Sequence, residues 1–466
     1  KMKYYRQIQV ALIAALIVIT CLWLFSCDSF TETDLPKTQL IKTAVFQDIK
    51  TATAALSDCY AQMRDYSMIT GNSDGLSSLL GNYADELTYY GVSDSPLQNF
   101  YNHTLLPSNS GVSVLWNSSY NQIYAANAIV EGVDNSTAIT GDNRNRLKGE
   151  ALFIRAFIHF NLVNLFGDIP YITSTDYKTN TMISKQTQAD VYNHIIADLL
   201  EAKELLPETY TSAQRIRPNK YTVSALLARV FLYTENWQLA ENEASVIINK
   251  TALYQWQDNL DLVFLKDSPS TIWQLHPGVA GLNTIEGRTF IFTSAPPNIE
   301  AISPELLHAF EAGDQRKNHW LGSVNDGTDT YYFPFKYKLD TNSGTSQEYS
   351  IIFRLDEQYL IRAEARIHLG KLAEAKNDIN KIRQRATLAN TAASTSEELS
   401  QAVLQERRVE LFTEFGHRWF DLKRTGKTAT VLSVIKSTWK DRDNLLPLPA
   451  SELLANSHLL PQNQGY

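Results

Sequence analysis

Two glutamates are the residues whose type and spacing are best suited to chemistry. Glu406 and Glu410 are four positions apart, so a helix would place both side chains on one face. Most glycoside hydrolases use a pair of carboxyl groups as their catalytic residues. Four arginines lie close to them in sequence: Arg407, Arg408, Arg418 and Arg424. Ion pairs that join a helix to a loop explain the same residues, and we interpret both glutamates as structural.

No other motif in the sequence asks for catalysis. The nine histidines show no HExxH spacing, and neither a glycine-rich phosphate loop nor a GxSxG elbow is present. Three cysteines, of which Cys21 falls inside an N-terminal apolar run, build neither a disulfide framework nor a cysteine-based zinc site. We expect a protein that is not an enzyme and needs no cofactor, and we single out no metal ligand.

The charge balance argues against a nucleic-acid partner. The 466 residues carry a formal charge of −8, and without residues 1–26, which hold three basic residues and no acidic one, the charge falls to −11. Binding to phosphates needs a concentrated basic face. The composition, with 44% hydrophobic and 20% charged residues, is that of a globular protein.

The N-terminus has the pattern of a lipoprotein signal. Lys1, Lys3 and Arg6 precede an uncharged apolar run. The run ends in Leu-Phe-Ser-Cys at residues 24–27, which resembles a lipobox, so we expect cleavage after residue 26 and a lipid on Cys27. The alternative is an uncleaved membrane anchor, since the uncharged stretch is close to the roughly 20 residues that span a bilayer. Residues 27–40, acidic and rich in Ser and Thr, are expected to form a lipidated tether.

Most of the remaining chain predicts helices. Apolar residues recur at steps of three and four over 43–65, 115–133, 144–166 and 188–206. Gly167 and Pro170 follow the third of these in the order that ends a helix. We therefore predict a mostly α fold.

Two alanine pairs indicate tetratricopeptide-like repeats. Ala228 and Ala240 flank a predicted turn with a spacing of 12, and Ala363 and Ala375 repeat the spacing around Gly370. Small residues at these positions let two short helices cross closely. Any helical hairpin with alanines at its crossing would give the same spacing, so a hairpin that is not a tetratricopeptide unit stays open as an alternative.

Within a single domain over 41–466 we expect two kinds of region. Helical units occupy about 41–65, 115–250 and 356–425. The stretches 66–114 and 251–355, rich in Gly, Pro, Asn and aromatic residues, predict an irregular, loop-rich ligand subdomain packed against the helices.

Three sequence blocks carry a family resemblance. Residues 146–170 contain RLKGEALFIRA and LVNLFGDIP, residues 406–424 contain ERRVEL and GHRWFDLKR, and the end of the chain reads LPLP at 446–449 and QNQGY at 462–466. Together with the lipobox, these blocks resemble the SusD/RagB family over nearly the whole chain. The resemblance implies an outer-membrane lipoprotein facing the cell exterior, which sits as a lid on a SusC-like, TonB-dependent transporter and delivers a glycan or a peptide to it; we favour a glycan.

The resemblance also implies that ligand contacts come from the loop-rich regions. Sugars present flat C–H faces that stack on aromatic rings, and their hydroxyls need polar partners. The loop 81–104 is the favoured place, because Asp85 and Glu86 precede paired tyrosines there. The candidate ligand-binding residues are Tyr89, Tyr90, Phe100, Tyr101, Asn102 and Trp320, the last expected to be exposed beside a charged run. Two alternatives stay open: a peptide as the ligand, or a protein-interaction scaffold without a small ligand.

Overall fold

The computed structural model describes Met2, Tyr5 and residues 42–466. Cys27, the whole expected tether over 27–40 and all of the expected signal except Met2 and Tyr5 lie outside the described residues. The chain divides into two compact units, residues 1–45 and residues 46–466. Among the helices that the structure describes, none is both long and apolar enough to cross a bilayer.

Helices dominate the described residues, as the apolar spacing predicts. They are α1 Lys42–Val45, α2 Ile49–Asp65, α3 Leu76–Tyr83, α4 Pro96–Tyr101, α5 Ser110–Asn135, α6 Gly141–Phe166, α7 Tyr177–Asn180, α8 Gln188–Leu205, α9 Lys220–Tyr233, α10 Trp237–Ile248, α11 Ile285–Phe290, α12 Pro304–Leu307, α13 Gln315–Trp320, α14 Leu355–His368, α15 Leu372–Arg385, α16 Ser396–Glu410, α17 His417–Arg424, α18 Thr428–Ile435 and α19 Ala450–Ala455. Short 3₁₀ turns cover Ala213–Arg215, Leu260–Leu262, Asp441–Asn444 and Ser457–Leu459. The mostly α fold class is thereby confirmed.

The predicted helix over 43–65 is wrong in its first turns. Helical structure breaks between Val45 and Ile49, where Asp48 adopts an extended conformation and its carboxylate accepts a hydrogen bond from the Lys50 amide at 2.8 Å. Asp48 is therefore the N-cap of α2, and an aspartate at that position favours the start of a helix over its interior.

Helix α6 forms the centre of the helical region. Every residue from Gly149 to Phe166 is buried, so the helix is covered on all sides and not only along one stripe. It packs against α5 and α8. The helix ends at Gly167, whose φ of 79° lies in the left-handed region that favours glycine.

The two alanine pairs are buried in helical hairpins. Helices α9 and α10 hold Ala228 and Ala240, helices α14 and α15 hold Ala363 and Ala375, and all four alanines are fully buried. In the second hairpin both alanines belong to one apolar cluster. These hairpins fit the repeat prediction.

The loop-rich stretches contain short antiparallel sheets. The strands are β1 Leu87–Tyr89, β2 Thr271–Leu275, β3 Glu300–Ile302, β4 Leu321–Asn325, β5 Thr330–Pro334 and β6 Ser350–Arg354. Strand β1 pairs with β3, β2 with β6, and β4 with β5. Because β1 comes from 66–114 and β3 from 251–355, this pairing joins two stretches that are far apart in sequence.

Candidate functional site

The two glutamates that could have done hydrolytic chemistry are buried in an ion-pair network. Glu410 is fully buried and lies 2.5 Å from Arg385, 2.7 Å from Arg354 and 3.1 Å from Arg316. Glu406, 1% exposed, lies 2.9 Å from Arg316 and 2.6 Å from Arg383. Both carboxylates are thus ion-paired, as expected, but with arginines from more distant parts of the sequence.

The electrostatics of Glu410 do not suit a proton donor. Burial by itself would raise the pKa of this carboxyl, but the guanidinium groups of Arg385, Arg354 and Arg316 outweigh burial and hold its pKa well below the usual range. The group stays ionised, whereas a glycosidase acid needs a raised pKa.

The arginines next to the two glutamates in sequence pair with other acids. Arg407 lies 2.7 Å from Asp421, Arg408 lies 2.6 Å from Asp85, and Arg418 lies 2.6 Å from the same aspartate. Arg424 pairs with Glu364 and Asp421. The C-terminal block of the sequence therefore holds elements together.

Asp85 and Glu86, which were a reason for favouring their loop as the ligand site, are both buried. Asp85 is buried against Arg408 and Arg418. Glu86 is 1% exposed. Burial, together with the nearby charge of Asp85, raises its pKa to about 8. These acids position the loop from inside the protein.

Two of the predicted ligand-stacking rings are buried. Trp320 is fully buried, and its indole N–H donates to the carbonyl oxygen of Leu260 at 3.0 Å. The expectation that Trp320 is exposed is therefore wrong. Trp320 is the last residue of α13 and packs within an apolar cluster. Phe100 is also fully buried and packs edge-on against Tyr83, with 5.8 Å between ring centroids. Neither ring is available to stack on a ligand.

Tyr89, Tyr101 and Asn102 lie at the surface but are partly covered. The Tyr89 hydroxyl donates to the Val92 carbonyl oxygen at 2.7 Å and so closes the loop on itself. The ammonium group of Lys436 lies 3.4 Å from the centre of the Tyr101 ring and covers one face of it. Asn102 is half-buried, and its carbonyl oxygen accepts a hydrogen bond from Thr438.

Tyr90 is the predicted ring best placed to meet a ligand. Its side chain is 42% exposed, and its backbone amide donates to the carbonyl oxygen of Ile299 at 2.7 Å, which continues the ladder of β1 and β3. Burial raises the pKa of Tyr90, and the nearby charge of Asp329 raises it further. A carboxylate therefore lies near an exposed ring.

The partner of Tyr90 is a residue that sequence reasoning missed. Tyr331, on β5, meets Tyr90 edge to face with 5.6 Å between centroids and an interplanar angle of 83°. We call Tyr90 and Tyr331 the aromatic platform. A signal existed in the sequence: the Asp326-Gly327 turn precedes three consecutive aromatic residues at 331–333, which predicts a hairpin whose second strand displays every second ring on one face.

The platform offers two perpendicular aromatic surfaces with an acidic group nearby. Such a combination can stack on the apolar face of a small ligand and accept hydrogen bonds from its hydroxyls. Within residues 42–466 no group of three or more His, Cys, Asp or Glu side chains is arranged to hold a metal ion.

Comparison with known proteins places the chain in a family. A family model described as "Starch-binding associating with outer membrane" matches residues 61–232, and one described as "SusD family" matches residues 315–466. The SusD-like protein P2 of Formosa agariphila is 30% identical over 508 residues, covering 96% of this chain and 98% of that protein. This chain belongs to the SusD/RagB family. The starch-binding protein SusD of Bacteroides thetaiotaomicron is 24% identical, covering 72% of this chain and 75% of that one.

Solved structures share the SusD fold. A laminarin-binding SusD-like protein superposes with a TM-score of 0.75 at 27% identity, covering 90% of this chain and 99% of that one. A SusD superfamily protein from Bacteroides vulgatus gives a TM-score of 0.78 at 22% identity, covering 90% and 100% of the two chains. The second likeness shows the fold alone.

The sequence blocks that resemble the SusD family make buried contacts that hold helices together. Glu150, in the first block, is buried and accepts a hydrogen bond from the Tyr60 hydroxyl at 2.7 Å. At Gly149 a Cβ would meet the Leu206 side chain at 2.9 Å, so a larger residue would push α6 away from the end of α8. The second block supplies the buried ion pairs described above. These sequence blocks therefore stabilise the fold, and they do not identify the ligand.

Proposed function

We propose that this SusD-family protein is a lipoprotein of the outer membrane that captures a glycan at the cell surface and delivers it to a SusC-like, TonB-dependent transporter. The observation that carries the binding part is the aromatic platform, in which Tyr90 and Tyr331 are both partly exposed and nearly perpendicular. Family membership supports the transport part.

The platform suits a sugar for a chemical reason. One face of a pyranose ring is lined with C–H groups, and it packs on an aromatic ring, whereas the hydroxyls at its rim need hydrogen-bond acceptors and donors. Asp329, whose charge acts on Tyr90, and the Tyr90 hydroxyl provide such groups around the rings. Two perpendicular rings can contact two successive sugars of a bent chain.

The printed names of two relatives point to the class of ligand. One solved neighbour is a laminarin-binding protein and one curated relative is a starch-binding protein. Laminarin and starch are therefore the first polysaccharides to test with this chain. Both are neutral glucans, so neither needs a cationic partner in the site.

A binding screen tests the ligand class. The chain from residue 28 onward, purified without lipid, is applied to arrays of glycans and of peptides. We expect glycan hits, with neutral glucans among them. Binding to peptides alone would contradict the glycan proposal in favour of peptide uptake, and binding to neither would favour a protein-interaction scaffold.

Purification from the native host tests the partner. Mild-detergent extracts are passed over the tagged full-length protein, and we expect a SusC-like barrel protein to be retained. The matched control is the same protein with Cys27→Ala, which removes the proposed lipid and leaves the folded region unchanged. If the tagged full-length protein retains no SusC-like protein from extracts of the native host's outer membrane, the proposed partnership is contradicted.

A further inference from the structure

A second concave surface lies on the helical part of the protein. A cleft of about 560 Å³ is lined by one face of α5, by the segment around α7 and by the C-terminal residues around α19. It shares no lining residue with the aromatic platform. Its volume falls within the range of roughly 300–1,000 Å³ found for small-molecule sites.

The α5 wall alternates amides with aromatic rings. Asn117, Tyr120, Asn121 and Tyr124 follow one another at steps of three, one and three, which places them on the same face of the helix. Asn117, Asn121 and Tyr124 are exposed, Tyr124 to 51%. Opposite this face, Tyr177 of α7 is 69% exposed. Large aromatic side chains exposed together in a cleft call for an occupant.

Within the described part of the chain, five polar side chains of the cleft make no hydrogen bond to another side chain. Among residues 42–466, no side chain makes a hydrogen bond to the amides of Asn117 and Asn121, to the carboxylate of Glu452 or to the hydroxyls of Tyr124 and Tyr177. These groups offer both donors and acceptors to a ligand.

Hydrogen bonds to backbone carbonyl oxygens hold two side chains of the cleft walls in place. The Tyr120 hydroxyl donates to the Pro170 carbonyl oxygen at 2.9 Å. The Asn456 amide donates to the Ile183 carbonyl oxygen at 2.9 Å and ties the C-terminal segment to the segment before α8. The Trp116 ring packs against the Tyr120 ring, with 4.8 Å between ring centroids. A preformed site loses less entropy on binding.

We propose that this cleft is a second carbohydrate-binding site, which takes a short stretch of a neutral glycan chain. Tyr124 and Tyr177 would stack on sugar faces, while Asn117, Asn121 and Glu452 would hydrogen-bond to hydroxyls. A neutral ligand fits better than an anionic one, because the described residues of the lining include the carboxylate of Glu452 and no cationic residue. The inference rests on the proposed glycan-binding function and adds a site to it.

The shape of the site favours a sugar over a protein partner. A stable protein interface buries about 800 Å² on each side, whereas this cleft is a local concavity with hydrogen-bonding groups along its rim. A second site on the same chain would raise the avidity for a polysaccharide, because both sites can engage one polymer.

Affinity electrophoresis tests the cleft. The chain from residue 28 onward is run in gels that contain increasing concentrations of laminarin, soluble starch or mannan, and the apparent Kd is taken from the retardation. The cleft variants are Asn121→Ala and Tyr124→Ala, with Tyr124→Phe to keep the ring. Tyr66→Ala, which removes a tyrosine that is 67% exposed outside both sites, is the matched control.

We expect Tyr124→Ala to weaken the apparent Kd about fivefold or more, as the loss of roughly 1 kcal/mol of stacking implies. Asn121→Ala should also weaken binding in the same gels. Tyr124→Phe, which keeps the ring and loses only the hydroxyl, should weaken binding less than Tyr124→Ala, and Tyr66→Ala should migrate like the parent. If Tyr124→Ala and Asn121→Ala are retarded as strongly as the parent in every polysaccharide that retards the parent, the cleft proposal is overturned and the proposed function stands. A parent that no polysaccharide retards overturns both.

Discussion

Asp85 accepts hydrogen bonds from Arg418 through both carboxylate oxygens, at 2.6 Å from Nε to Oδ1 and 2.8 Å from Nη2 to Oδ2, although the residues are 333 positions apart. Arg408 donates to the same carboxylate at 2.6 Å. Burial opposes the ionised form of Asp85, but the two arginines outweigh burial and lower the pKa of the carboxyl. This cluster fixes the start of the loop that carries Tyr90.

Removal of the Asp85 charge should destabilise the protein. Asp85→Asn keeps the shape of the side chain but leaves the guanidinium groups of Arg408 and Arg418, whose side chains are 17% and 11% exposed, without their acid. Breaking a buried pair costs about 3–5 kcal/mol. Urea unfolding should show a loss of this size. Asp94→Asn, at an exposed position of the same loop, is the control and should unfold like the parent. Equal stability of the two variants would mean that the Asp85 cluster contributes little.

A buried glutamate next to β1 should make stability depend on pH. Burial raises the pKa of Glu300 from 4.5 to about 7, although Ser78 and Asn82 donate to its carboxylate at 2.8 and 2.5 Å. Between these two pH values the folded state binds more protons than the unfolded state, so the free energy of unfolding falls as pH rises.

Glu300→Gln should remove this contribution. Relative to the parent, the variant should gain about 3 kcal/mol of stability between pH 4.5 and pH 8, as measured by urea unfolding across that range. Glu374→Gln, at an exposed position on α15, is the control. A stability difference between Glu300→Gln and the parent that is the same at all pH values would show that Glu300 does not titrate in this window.

Overpacking of the first hairpin should also destabilise the fold. Ala228 is fully buried where α9 meets α10, so Ala228→Trp forces a large ring into a close-packed interior, at a cost of about 1–3 kcal/mol. Thermal or urea unfolding measures the loss. Ala54→Trp places the same ring at an exposed position of α2 and should be nearly neutral. An unchanged Ala228→Trp protein would argue against a tight crossing.

Lipidation at Cys27 is tested in cells. With a fatty-acid analogue supplied in the medium, the parent should take up label and Cys27→Ala should not, and the variant should leave the membrane fraction. Cys59→Ala is the matched control, since Cys59 lies buried in α2 and should not affect labelling. Label retained by Cys27→Ala would contradict the lipobox assignment.

The helices could be predicted from the sequence because their signals are local. Apolar spacing placed α8 to within one residue at its C-terminal end, and Gly167 marked the end of α6. The interruption at Asp48 was missed, because an aspartate inside an apolar stripe is compatible with an exposed helical position until its cap hydrogen bond is seen.

The site was harder to predict because exposure depends on distant packing. Trp320 follows a charged run, but the polar groups of that run turn inward: Arg316 is fully buried between Asp314, Glu406 and Glu410. Tyr331 reaches Tyr90 only because β1, β3 and the β4–β5 hairpin come together, and 241 positions separate the two residues. Local sequence patterns carry no information on such pairings.

The most direct test of the central claim is a calorimetric titration of the platform with the strongest neutral glycan from the array screen. Tyr90→Ala and Tyr331→Ala are compared with the parent and with Tyr66→Ala, and the double variant completes a thermodynamic cycle. We expect each platform variant to bind about fivefold or more weakly than the parent and Tyr66→Ala to bind like the parent. The double variant should lose less binding free energy than the sum of the two single losses. If Tyr90→Ala and Tyr331→Ala bind the glycan as tightly as Tyr66→Ala does, the aromatic platform is not where this protein captures its ligand.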